Sequence, residues 1–148
     1  MSAISLILIV AISLNSFCDA GLVENPSNDT VSISYTLWIG SDIHAQHHIH
    51  LNVPAGSNFY SAMQAAASAN PIFNFKAQLH KLGHFITDIA GTANNIVDNT
   101  FWIIYILRNQ PDVNSPPTEK DLSPKGVDLI IVEDGMHYLF WYKELIYQ

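Results

Sequence analysis

A chain of 148 residues, 49% of them apolar and 13% charged, has the material for one domain with a full core. Its formal charge of −7 repels phosphate backbones and argues against nucleic acid as a partner. A single cysteine excludes an internal disulfide, so packing alone must hold the fold.

Ile4 to Leu14 is a nearly unbroken apolar run, too short to span a bilayer as a permanent helix. Cys18-Asp19-Ala20 follows, a small-residue cleavage pattern ahead of Gly21. Residues 1–20 therefore read as a secretory signal peptide, although they contain no Lys or Arg. Cleavage there would remove the cysteine and send the protein outside the cell. After residue 20 no segment is long and apolar enough to cross a membrane. Residues 21–30 form a polar leader in which Asn28-Asp29-Thr30 is a glycosylation sequon. Proline disqualifies Asn25-Pro26-Ser27.

The folded domain is expected over residues 31–143, with a short tail at 144–148. Val31, Ile33, Tyr35, Leu37 and Ile39 alternate with Ser32, Ser34, Thr36 and Trp38, which predicts a half-buried strand. Gly40-Ser41-Asp42 breaks it, and His47 to Val53 reads as a second strand paired back on the first. Ser57 is the expected N-cap of a helix whose stripe is Phe59, Ala62, Met63, Ala66 and Ala67. Asn70-Pro71 stops that helix. Strands are predicted from Phe73 to Leu79 and, after the Leu82-Gly83 turn, from His84 to Ile89. Gly91 to Asp98 is a polar loop. Phe101 to Leu107 is the most apolar strand and is predicted to be central in its sheet. Residues 108–125, rich in Pro, Asp and Ser, predict a long exposed loop. Gly126 to Val132 and His137 to Tyr142 are expected to form a final hairpin across Asp134-Gly135. These elements add up to an α+β, β-rich, grasp-like domain, with one helix packed on a mostly antiparallel sheet.

Acid–base chemistry finds little support. Glu133 and Asp134 belong to a turn, and Asp88 and Asp98 have no obvious partner. There is no G-x-S-x-G, P-loop, dinucleotide fingerprint or H-E-x-x-H. The expectation is a binding protein without catalysis.

Several short motifs recur in a particular order: Val53-Pro54 with Gly56-Ser57, Phe85-Ile86-Thr87 with Ile89 and Gly91, Phe101-Trp102, Gly126, Asp134-Gly135 and Trp141-Tyr142. Together they resemble the C-terminal β-rich domain of the transcobalamin and intrinsic factor family of vitamin B12 carriers, over roughly residues 31–143. In those carriers a helical-barrel domain stands ahead of this one, and cobalamin sits between the two. The resemblance implies cobalamin as ligand and a separate helical-barrel protein as partner, because only a leader precedes the domain here. It also implies that the Trp102 indole packs on the corrin rim and that Asn94 and Asn95 reach corrin amides. The residues themselves leave a core tryptophan and ordinary turn asparagines open. Tyr105, three residues on from Trp102, must point to the opposite face. The loop at 108–125 departs from the family's short connection, at an edge where the family's loops touch the corrin.

The run Ile43-His44-Ala45-Gln46-His47-His48-Ile49-His50 is this chain's own. His48 and His50 share a strand face and could hold a metal, with His44 or His47 completing the site. A neutral imidazole there could also take an axial position on a cobalamin cobalt, and a solvated strand face is the plainer alternative. A grasp-like sheet with exposed aromatics would equally serve as an extracellular protein-interaction module.

Overall fold

The computed structural model describes residues 29–146. The expected signal peptide, most of the leader, the Asn28 sequon and residues 147–148 lie outside the described residues. Among the described residues seven strands and one α-helix follow in chain order: β1 (Thr30–Ile39), β2 (Ala45–Pro54), α1 (Phe59–Ala69), β3 (Phe75–His80), β4 (Gly83–Ile89), β5 (Thr92–Ala93), β6 (Thr100–Leu107) and β7 (His137–Glu144). They make two sheets, one in the order β2-β1-β7-β6 and a smaller one in the order β3-β4-β5. The predicted α+β, grasp-like class is the class observed. The first and last strands lie side by side and parallel at the centre of the larger sheet, with Tyr35 beside Tyr138 and Leu37 beside Phe140.

One face of this sheet carries Ile33, Tyr35, Leu37, Leu51, Val53, Trp102, Tyr138 and Phe140 into the core. Phe59, Ala62, Met63 and Ala66 of α1 meet them there, with Phe73 and with Ile86 and Ile89 of the smaller sheet. The alanines let the helix lie close, and aromatic rings fill the remaining depth. Phe59 stacks on Tyr138 at 4.7 Å, and Tyr35 meets Phe59 edge-on at 5.2 Å. Burial drives the Tyr35 phenol well above its usual pKa.

Five expectations change. Phe101–Leu107 is an edge strand: β6 pairs only with β7 inside its sheet. The central positions belong to β1 and β7, which are apolar on both faces where they need to be. Trp38, placed by alternation on the polar side of β1, is fully buried in a second cluster with Tyr105, Leu139 and Trp141 on the sheet's outer face. The final hairpin does not form. Gly126 to Val132 instead runs past the start of α1, where Ile130 and Val127 accept the backbone N–H groups of Phe59 and Tyr60. The N-cap of α1 is Asn58, whose side chain accepts from Ser61 N at 2.9 Å, while the Ser57 hydroxyl donates to the Pro54 carbonyl. Phe73 belongs to a 3-10 turn rather than to β3.

The segment after β6 is irregular, as expected, but it is docked. Leu122 bridges to Tyr105, and Ser123 N–H donates to the Ile104 carbonyl. The segment thereby lies across the outer cluster, where Val113 and Pro116 border the same hollow as Ile43 and Trp141.

Candidate functional site

Trp102 lies on the inner face of β6 and is only 7% exposed. Its indole N–H donates to the Thr92 carbonyl at 2.7 Å, and its ring packs against Tyr142 and Phe140. Tyr105 is in the outer cluster, on the opposite face as the spacing requires. Asn94 is a clamp: its Oδ1 accepts from Trp102 N at 2.9 Å and its Nδ2 donates to the Ile86 carbonyl at 2.9 Å. Asn95 builds the next turn, accepting from the N–H groups of Val97 and Asp98 and donating to the Asp98 carboxylate. The polar atoms of all three residues are thus engaged within the fold, and what they hold up is a short loop.

That loop presents Ile96 and Val97, 82% and 93% exposed. A second run of exposed apolar side chains, Leu79, Leu82 and Phe85, decorates the β3–β4 hairpin. Asn94 ties the two runs together, since it bonds to Ile86 next to Phe85 and lies two residues before Ile96. Sequence reasoning missed Ile96 and Val97 because it read the loop at 91–98 as merely polar, and it took Leu79, Leu82 and Phe85 only as strand, turn and motif residues. The available signal was an Ile-Val pair between Asn95 and Asp98, in a turn where no strand or helix period calls for apolar residues.

The hairpin is steadied from outside. Asp128 accepts from the His84 backbone N–H at 2.6 Å and bonds the His84 Nδ1 at 2.8 Å. The carboxylate fits there because Gly83 has no side chain; a Cβ would stand 2.7 Å from Asp128 Oδ2. Burial works to raise the Asp128 carboxyl, but the His84 hydrogen bonds and charge outweigh it and hold it below its ordinary pKa. On the other side of the imidazole, Tyr60 stacks at 3.9 Å.

The histidine run lies at the opposite edge of the larger sheet, on β2. His48 and His50 share the outer face and are both exposed. Each Nδ1 is hydrogen-bonded to a buried hydroxyl of β1: His50 to Ser34 at 2.9 Å and His48 to Thr36 at 2.8 Å. Burial lowers the His48 pKa, and the charges of His50 and His137 lower it further. His47 pairs with Leu37 and faces the other way, and His44 folds against Gly40, so neither joins the pair. Among the described residues no group of three or more His, Cys, Asp or Glu side chains stands ready to hold a metal ion. An open cavity of about 700 Å³ between Leu107, Met136 and the docked segment, bordered by Arg108, Asp112 and Asp121, lies apart from all of these.

No protein-family model matches the sequence. The uncharacterized protein CG3556 of Drosophila melanogaster is 36% identical over 122 residues, which are 82% of this chain and 20% of that protein. The chain therefore spans about a fifth of that relative. Among solved structures, haptocorrin in complex with Cbi superposes with a TM-score of 0.66 at 22% identity, over 80% of this chain and 26% of haptocorrin. A protein from Ruminococcus gnavus ATCC 29149, provisionally described as metal binding, superposes with a TM-score of 0.54 at 14% identity, over 78% of this chain and 99% of that one. The fold fits a transcobalamin-like domain.

Proposed function

We propose that this protein is an exported, non-catalytic corrinoid-binding domain that covers one side of a cobalamin-like ligand. The observation that carries the reading is the likeness of fold to haptocorrin, a protein solved with Cbi. The exposed apolar rim supports it. A corrin is a wide, amphipathic disc, and Ile96, Val97, Leu82 and Phe85 offer apolar area on two adjoining segments, whereas Leu79 pairs with His84 and points to the hairpin's other face. Trp102, Asn94 and Asn95 act from beneath, holding the loop that makes contact. A helical-barrel partner supplies the opposite wall. Two linked walls gain about 10²–10⁴-fold in affinity over one, so the domain alone binds weakly.

The test is a titration of the secreted protein with aquocobalamin, following the corrin absorption bands, with and without a helical-barrel partner. The expected result is a saturable shift, strengthened by the partner and weakened by Ile96→Ser with Val97→Ser. Substituting His48 and His50 should leave the shift unchanged, because those residues lie across the sheet from the rim. No shift under either condition overturns the reading. Recovery of a protein partner whose binding ignores cobalamin would replace it with a docking role for the same rim. Export is tested on the same sample: mass spectrometry should find Gly21 as the first residue and a glycan on Asn28.

A further inference from the structure

His48 and His50 are separated by one residue on a strand, so their side chains rise from the same face. What distinguishes the pair is where the ring nitrogens end up. The two Nε2 atoms stand 3.1 Å apart, and the rings meet nearly perpendicular with centroids 4.5 Å apart. The two Nδ1 atoms are turned inward onto the hydroxyls of Ser34 and Thr36, each 5% exposed. The rings are thus anchored from below with their outer nitrogens converging on one point in solvent.

We propose that His48 and His50 form a preformed two-nitrogen chelate for a late first-row divalent cation, with Ser34 and Thr36 as its outer partners. With metal–nitrogen bonds of about 2.0–2.1 Å, nitrogens at this spacing subtend an angle of roughly 100° at the ion. That lies between the square-planar and tetrahedral values, so little movement is needed. Ring protonation also fits. While the two Nε2 atoms share a hydrogen bond, one ring carries its proton on Nε2 and its Nδ1 accepts from a hydroxyl. Metal entry moves that proton to Nδ1, and the hydroxyl turns from donor to acceptor. Both Nε2 lone pairs then face the ion with no net proton released. A hydroxyl held at Nδ1 fixes ring orientation and tautomer, as outer partners of metal-bound histidines do. Imidazole donors with open positions favour copper(II) over nickel(II) and zinc(II). His137 flanks the site, since Ser34 pairs with His50 on one side and His137 on the other. Its Nδ1 is buried without a hydrogen-bond partner.

The experiment is titration of the untagged protein with copper(II), read by electron paramagnetic resonance and by calorimetry. One equivalent should bind with hyperfine structure from two nitrogens. His48→Gln and His50→Gln should each abolish that signature, and both residues are exposed, so the fold should persist by circular dichroism. Ser34→Ala should weaken binding about 10–100-fold while keeping the two-nitrogen signature. His44→Gln and His47→Gln should change nothing. Absence of stoichiometric uptake, or a two-nitrogen signature that survives in the His48→Gln/His50→Gln double variant, overturns the proposal. Neither outcome bears on the corrin titration.

Discussion

Asp128 grips His84 twice, through the backbone N–H and through the imidazole. Folding lowers the pKa of this carboxyl from its ordinary 3.8, so the carboxylate is the form the fold prefers. The stabilisation is therefore fully present above pH 3.8 and is lost as pH falls through the folded value. Asp128→Asn should cost about 1 kcal/mol near neutrality, a modest figure because solvent screens this site. The deficit should shrink as pH drops below about 4. Thermal unfolding of both proteins across pH 2–7 checks this; a deficit independent of pH would show that the charge is idle. Asn94 teaches a different lesson at the same scale. Its type suits a turn, and that much is visible in sequence. Its two partners, Ile86 and Trp102, lie eight residues away on either side, and only the packing of β4 against β6 brings them to one side chain.

The helix illustrates how far an element can be read. Its apolar stripe and its stop at Asn70 were legible, because 3.6-residue periodicity and Asn-Pro are local signals. Its start was read one residue early. Ser57 and Asn58 are both good caps, and the choice falls to Asn58 because Ser57 is drawn to the Pro54 carbonyl. Asn58→Ala should destabilise the protein by about 1 kcal/mol, and Ser57→Ala by less. Urea denaturation of the two variants measures the difference; equal losses would mean that the Asn58 side chain does not cap α1. The segment Gly126 to Val132 failed as a strand for a tertiary reason. It looks like one by composition, but its carbonyls are taken by the first N–H groups of α1, a use that no local pattern announces.

For the molecule as a whole, the decisive feature is that the larger sheet buries both of its faces in part. The inner face packs on α1 and the smaller sheet; the outer face buries Trp38, Tyr105, Leu139 and Trp141 under the segment that follows β6. Trp38 and Leu139 are 0% exposed, so that segment is a structural cover. Replacing residues 109–120 by a short Gly-Ser linker should uncover the tryptophans. Each large side chain exposed should cost about 1.5–3 kcal/mol. Tryptophan emission should shift to the red, and dye binding to apolar surface should rise. Unchanged emission would mean that the cluster is closed by other means. The same sheet separates the two functional proposals. The histidine pair lies on edge strand β2, and the loop of Ile96 and Val97 leads into the other edge strand, β6. Three strand spacings, about 14 Å, lie between those edges.

By itself the sequence determined the periodic features: the strands β1, β2 and β6, the helical stripe, the turns at Gly40, Gly83 and Gly135, and the shared face of His48 and His50. Side-chain period and turn chemistry are set by the backbone within a few residues, so they can be read locally. Tertiary structure alone decided that β1 and β7 lie parallel at the centre and that β6 falls at an edge. It also decided that Trp102 is spent on Thr92, and that two histidine nitrogens converge above Ser34 and Thr36. The sheet order is set by the long-range closure of β7 onto β1, and the two side-chain placements by pairings between neighbouring segments that no single segment's periodicity specifies.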